Sequence, residues 1–321
     1  MAGYLQGRAI HVDRHLSNVA INYRPTGFIA DRVFPIVNVD KQTNMIKTYN
    51  QADLFRREST LRSPGTEANI IDTQVNSIAY VCQNYALKAD VTIEDRANAD
   101  AAFVRDLEEG RVMRIQDALA LDWEVRIASQ VTNTSNVGTS SAVGSAWSDL
   151  TNSDPLSDIW AVMDQVEDAT SYRPNRVVMS GEAWRYFARN DKVIDKARGT
   201  GVTGGGINAT VQQAAALLEV EEINIGQSWY NTAEEGLAQS LSRTWGDHVL
   251  VYYAPSRPSV ELPSFGYTLR WSASGLPNMT VERLPYNPFK KTDEVEMGYY
   301  QDELVTAQPL GALVTNVTSS T

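Results

Sequence analysis

Residues 92–130, TIEDRANADAAFVRDLEEGRVMRIQDALALDWEVRIASQ, constrain this chain more than any other stretch, because they contain no proline and read as one long helix. Val104, Leu107, Ile115, Leu119 and Ile127 recur at spacings of three, four or eight, which places them near one face. Glu108, Glu109, Arg111, Arg114 and Asp117 fall mostly off that face. Thr92 and Asp95 make an imperfect capping box, and Asp95 or Asp100 also suits an N-cap. Gly110 is a weak point costing roughly 1 kcal/mol against Ala. The alternative to a single rod is two ordinary helices broken near Asn98 or Gly110. An unbroken helix of this length spans on the order of 50 Å, whereas typical globular helices run roughly 8 to 20 residues. A compact enzyme has little use for such a rod preceded by extended chain. A subunit that must reach its neighbours does.

Composition narrows the classes. The 321 residues are 43% hydrophobic, enough for a real core and against wholesale disorder. A formal net charge of −11, from 28 basic and 39 acidic residues, argues against a protein that grips nucleic acid through phosphates. Arg56, Arg57 and Arg62 form the only modest basic cluster in the first half. Cys82 is the sole cysteine, so an intrachain disulfide and cysteine-based zinc sites are excluded. It sits in the alternating segment AYVCQNYAL and reads as a packed strand residue. The opening MAGYLQGRAI has no signal-peptide core, and no apolar run is long enough to span a membrane.

Along the chain, NYRPTGFIADRVFPIVNVD reads as extended chain or a short helical turn between Pro25 and Pro35. Its apolar residues, Phe28, Ile29, Val33, Phe34, Ile36, Val37 and Val39, are too few to form a core and must dock on something else. Residues 45–78 look like a polar hairpin with strand ends and a Pro64-Gly65 turn. Residues 75–93 alternate as a strand. Ile78, Tyr80 and Cys82 lie on one face; Tyr85, Leu87, Ala89, Val91 and Ile93 continue after a one-residue phase shift, the sign of a bulge. After the helix, an Asn/Ser/Thr/Gly-rich loop marks a domain boundary, and the texture turns α/β. Helices are expected over PLSDIWAVMDQVEDA, GEAWRYFARNDKVIDKAR and TVQQAAALLEV, and strands at NRVVMS, EINIG, HVLVYYAP and YTLRWSA. Three more strand candidates follow Pro285: DEVEMGYY, ELVTAQP and GALVTNV.

No catalytic constellation emerges. GTGVTG, Gly199 to Gly204, matches the dinucleotide-binding pattern, but a charged helical stretch precedes it where a strand is required. Gly205 and Gly206 extend it into a glycine run better read as a mobile loop. His11 and His15 share an i, i+4 spacing without an acidic ligand pattern beside them. VMSGEAW around Ser180 lacks the first glycine of a nucleophile elbow and reads as strand, turn and helix N-cap.

The order of parts, with the stretches ADRVFPIVNVDKQTNMIKTYN, VVMSGEAWRYFARNDKVIDKAR, EEINIGQSWYNTAEEG, WGDHVLVYYAPS and EVEMGYYQDELVTAQPLGALVTNV, resembles the major capsid proteins of tailed bacteriophages and their shared Johnson fold. The resemblance covers nearly the whole chain. It implies an α+β fold with an N-terminal arm (1–45), an extended E-loop hairpin (46–78), a P-domain (79–145 and 285–321) carrying a spine helix at about 95–130, and an α/β A-domain (146–284). In that fold A-domains meet around the five- and six-fold axes, and the E-loop lies over a neighbouring subunit. Many relatives begin with a helical scaffolding extension. This chain starts almost directly at the arm, so a separate scaffolding protein is expected. Lys41, Lys47, Lys290 and Lys291 are present, but no reacting pair for the Lys–Asn cross-links of some relatives can be identified.

The expectation is therefore a structural protein, without enzymatic activity or cofactor. Its pentamers and hexamers would close an icosahedral shell around double-stranded DNA in the virion, assembled in the host cytoplasm with portal and decoration proteins as partners. Phe28, Val33, Phe34, Ile36, Arg56, Arg57 and Arg62 are the candidate assembly contacts, and Gly199, Gly201, Gly204, Gly205 and Gly206 the candidate axial loop. The acidic balance suits an inner wall that does not hold DNA. A nanocompartment shell of the same fold and an α/β enzyme of unknown activity are the alternatives.

Overall fold

A computed structural model of the chain describes residues 11–12, 16–17, 27–49, 57, 60–65, 67–68, 75–98, 103–199, 208–259, 262–272, 279–284, 286 and 288–318. In chain order, β1 (His11–Val12) is followed by the helical turn α1 (Ala30–Val33) and β2 (Ile36–Val39). β3 (Thr43–Tyr49), β4 (Val75–Val81) and β5 (Gln83–Thr92) lead into helices α2 (Ile93–Asn98) and α3 (Phe103–Val131). Next come β6 (Thr139–Ala142), α4 (Pro155–Thr170), β7 (Arg176–Ser180), α5 (Gly181–Arg189), α6 (Asp191–Gly199), α7 (Val211–Leu218) and β8 (Glu222–Gly226). β9 (Trp229–Asn231), β10 (Leu241–Arg243), β11 (Val249–Tyr252), β12 (Gly266–Trp271), β13 (Val281–Arg283), β14 (Thr292–Val305) and β15 (Gly311–Thr315) complete the chain.

The long stretch is helical over Ile93–Asn98 and Phe103–Val131, residues 99–102 lie outside the described residues, and there is no break at Gly110. Thr92 caps the first of these helices: its Oγ1 accepts from the Asp95 amide at 3.0 Å. Gly110 passes through α3 undisturbed on an exposed face. The 29 residues of α3 extend about 43 Å. One face carries Val112, Ile115 and Leu119 onto Val295, Met297 and Tyr299 of β14. Further along, Ile127, Ala128 and Val131 join a second core with Val178, Leu250, Tyr252 and Leu313. One helix thus joins two cores, as a spine would.

Two sheets organise those cores. The larger runs β1-β13-β14-β12-β2, with β5 also paired along β14; the other runs β6-β15-β11-β7-β8. In the second, Val177, Met179, Val249, Val251, Ala312 and Val314 face helices α4 to α7, while Val178, Leu250 and Leu313 face the spine. A sheet buried on both faces explains why RVVMS and VLVY are almost continuously apolar. α4 buries Ile159, Val162, Met163 and Val166 as the sequence pattern predicts, with Asp154 as N-cap. The helical stretch after Ser180 divides at Asn190 into α5 and α6.

The phase shift near Cys82 is a change of sheet. β4 pairs antiparallel with β3 in a separate ribbon, from Thr43 opposite Val81 to Tyr49 opposite Val75, whereas β5 pairs along β14. Both sheets also draw strands from inside and outside residues 146–284. β12 and β13 pair with β14 in the larger sheet, while β6 and β15 complete the five-stranded one. These pairings join residues remote in sequence, which local alternation cannot reveal. DEVEMGYY and the first three residues of ELVTAQP form a single strand, β14, which ends at Val305. Gly298 within it is required by close approach: a Cβ there would lie 2.7 Å from Ala86 Cβ.

Candidate assembly site

The arm residues are held by their own chain. β2 lies parallel to β12, with Ile36 opposite Thr268. Phe34 and Val33 are fully buried. The Phe34 ring meets Phe265 edge-on at 5.8 Å. It also fills the space above Gly266, where a Cβ would come within 2.4 Å of Phe34 Cε1. The Thr268 amide donates to the Pro35 carbonyl at 3.0 Å, and Thr268 Oγ1 to the Phe34 carbonyl at 3.1 Å. Of the four apolar residues expected to contact another copy, Val33 and Phe34 therefore spend their surface inside the chain. Phe28 and Ile36 are half-buried.

Just before this strand the arm is pinned by Glu124, a fully buried carboxylate on the spine. Its Oε2 accepts from the amides of Ile29 at 2.9 Å and Ala30 at 2.7 Å; its Oε1 accepts from Ser228 Oγ at 3.2 Å and Trp245 Nε1 at 2.6 Å. Burial pushes the carboxyl above its ordinary value, and the hydrogen bonds from Trp245, Ile29, Ala30 and Ser228 oppose that rise.

Farther along the helix, Arg126 fixes the spine to β14. It donates to both Glu303 oxygens, at 2.9 and 3.3 Å, pairs with Asp122 one turn earlier, and lies 3.7 Å above the Tyr85 ring. Gln301 Nε2 donates to the same carboxylate at 2.6 Å, and Gln130 Nε2 to the Glu303 carbonyl at 3.1 Å. Burial pulls the Arg126 guanidinium down, but the bonds and charge of Glu303 outweigh it, so its proton is held more tightly than usual. The sequence pointed to neither anchor, since Arg126 and Glu303 are 177 residues apart and Glu124 reads as an ordinary helix carboxylate.

Other surface is left open. Arg57 and Arg62 are exposed in the segment between β3 and β4, with Leu61 88% exposed between them. Arg56 lies outside the described residues, as do Gly201, Gly204, Gly205 and Gly206. Gly199 is the last residue of α6, so a helix precedes the glycine run and the dinucleotide-binding requirement for a strand is not met. The ribbon β9–β10 exposes Trp229, Leu237 and Leu241, and Phe289 stands 97% exposed between β13 and β14. A hollow of about 420 Å³ lies between Phe28, Leu121 of the spine and Trp229. His11 is in a strand opposite Arg283, and His15 is outside the described residues. Ser180 caps α5, its side chain accepting from the Ala183 amide at 3.2 Å, as strand-turn-helix reading requires. Cys82 is fully buried and its thiol is pushed up to about 11, first by burial and then by the charge of Asp302.

A bridging spine, a pinned arm, a separate two-stranded ribbon and a doubly covered α/β sheet define an α+β chain with the tailed-phage capsid fold. In sequence the chain is similar over most of its length to the major capsid proteins of two phages. That of Burkholderia phage BcepMu is 27% identical over 293 residues, 88% of this chain and 91% of that one. That of Pseudomonas phage JBD67 is 28% identical over 322 residues, 96% and 98% of the two chains. A phage-related protein from Bordetella bronchiseptica RB50 superposes with a TM-score of 0.75 at 25% identity, covering 98% of this chain and 99% of that one. At the level of fold alone, a chain from Mycobacterium phage Ogopogo (TM-score 0.56, 8% identity, 91% and 93% covered) and an encapsulin from Synechococcus elongatus PCC 7942 (0.51, 12%, 90% and 87%) are also alike. No family model matches the sequence.

Proposed function

We propose that this chain is the major capsid protein of a tailed phage, assembling as pentamers and hexamers into an icosahedral shell around double-stranded DNA. The observation that carries this reading is similarity to two phage major capsid proteins along most of the chain, joined to the fold of tailed-phage capsids. The role is structural and needs no cofactor or catalytic group. Ring closure requires heterologous contacts, one patch meeting a different patch of the next copy. The segment between β3 and β4 suits an E-loop reaching over a neighbour: its described residues, 57, 60–65 and 67–68, are all exposed. Arg56, Arg57 and Arg62, with Phe28 and Ile36, are the proposed contacts, and Val33 and Phe34 hold the arm in shape for them. The glycine run that begins at Gly199 is the proposed axial segment, and its residues 200–207 lie outside the described ones. A net charge of −11 gives the shell wall the sign that repels DNA. A separate scaffolding protein, a portal and decoration proteins are the further partners, and assembly takes place in the host cytoplasm before the protein becomes part of the virion.

Electron microscopy of the expressed chain, alone and with its scaffolding protein, tests this. Closed shells are expected; small monomers under every condition would overturn it. Leu61→Asp leaves the fold intact and abolishes shells. The second reading, a nanocompartment shell, is favoured by the likeness to encapsulin, which is one of fold only. A cargo enzyme encoded alongside, and particles empty of DNA, would select it.

A further inference from the structure

The two oxygens of Glu124 serve different parts of the molecule. Oε2 takes the two arm amides, Ile29 and Ala30, and Oε1 takes Ser228, in the turn after β8, and Trp245, just beyond β10. Trp245 is itself fixed, because its ring occupies the space over Gly226, where a Cβ would sit 2.1 Å from Trp245 Cδ1. Among the described residues no Lys, Arg or His pairs with this carboxylate, so the buried charge is held by donors alone. Losing either pair of donors leaves a buried anion half satisfied, the arrangement in which the remaining bonds are hardest to keep.

We infer that Glu124 is a positioning residue that couples the seating of the arm to the packing of the Ser228–Trp245 end of the α/β lobe. The arm cannot be drawn away without loosening that end, and a change there loosens the arm. The use of this coupling in assembly, as a check that an arm is seated before it meets another copy, rests on the shell reading; the coupling itself does not.

Hydrogen exchange in the full-length, unassembled chain tests it, read at the Ile29 and Ala30 amides. Ser228→Ala removes a hydroxyl that bonds Glu124 and not the arm. It is expected to speed exchange at those two amides about five- to tenfold, the equivalent of one hydrogen bond. Trp245→Phe, which removes the indole donor, acts in the same direction, and Ser228→Thr, which keeps the hydroxyl, restores protection. Unchanged exchange at Ile29 and Ala30 in Ser228→Ala, with or without faster exchange at residues 226–230, would overturn the coupling. Whether the variant still forms shells is scored separately and bears on the shell reading alone.

Discussion

Replacing Phe34 by Ala separates two roles that the sequence alone cannot tell apart. If Phe34 is an intrachain anchor, its loss is felt before any assembly. The side chain is fully buried, its ring meets Phe265 at 5.8 Å, and it fills the space that Gly266 leaves. Truncating a buried phenylalanine to Ala typically costs about 3–5 kcal/mol, of which an edge-on ring pair contributes roughly 0.5–1.5 kcal/mol. Gly266 carries no side chain that could move into the vacated volume, which argues for the upper half of the range. The loss acts first on the seam between β2 and β12, so at about 4 kcal/mol the arm opens roughly a thousandfold more often. Two measurements on the unassembled chain check this: the denaturation midpoint, and native-state proteolysis mapped to residues 27–45. Cleavage there should accelerate strongly while the helices packed on the five-stranded sheet stay protected. A stability loss below about 1 kcal/mol, unchanged cleavage and a failure confined to shell formation would refute the reasoning and return Phe34 to an intersubunit contact.

Four other outcomes are expected. Gly110→Ala should raise stability by about 0.5–1 kcal/mol, since the position is helical and an added Cβ meets nothing within 4 Å; a loss would mean that this face of α3 is already covered. Arg126→Met should cost about 3–5 kcal/mol by leaving Glu303 buried without its cation, while Arg126→Met with Glu303→Leu should recover most of that in denaturant melts. Cys82, fully buried with a thiol pushed up to about 11, should react with a thiol reagent at pH 8 only as fast as the chain opens, and at once in denaturant. Glu124, raised by burial, binds its proton more tightly folded than unfolded, so the stability it contributes is present at acid pH and is lost as pH rises through its folded value. The unfolding free energy of wild type minus Glu124→Gln should therefore fall from about pH 4 to pH 7; a rise would mean that the hydrogen-bond donors outweigh burial.

How much of this was legible in the sequence depends on the range of the forces involved. The capped start at Thr92, the apolar face of α4, the Ser180 turn and the polar β3–β4 ribbon follow from local pattern, and the structure has each of them. The phase shift at Cys82 was visible too, but a bulge and a transfer between sheets displace alternation by the same single residue, and only the partners β3 and β14 distinguish them. Which sheet a strand joins is hidden for a related reason. β12 and β15 carry apolar runs that suit either sheet, and membership is decided by pairing with strands far away in sequence. The arm shows the limit most sharply. Its apolar residues were rightly read as needing a surface, yet nothing local says whether that surface belongs to the same chain or to the next copy. What decides it is Gly266, whose missing Cβ makes room for Phe34, and Glu124, whose buried carboxylate holds the two amides that begin α1. Neither residue stands out by type or spacing. Under the proposed shell reading, fixing residues 27–39 within their own subunit before association would remove an entropy cost that a loose segment would meet at the interface. On the same reading, contacts between copies would then draw on exposed residues such as Leu61, which is 88% exposed.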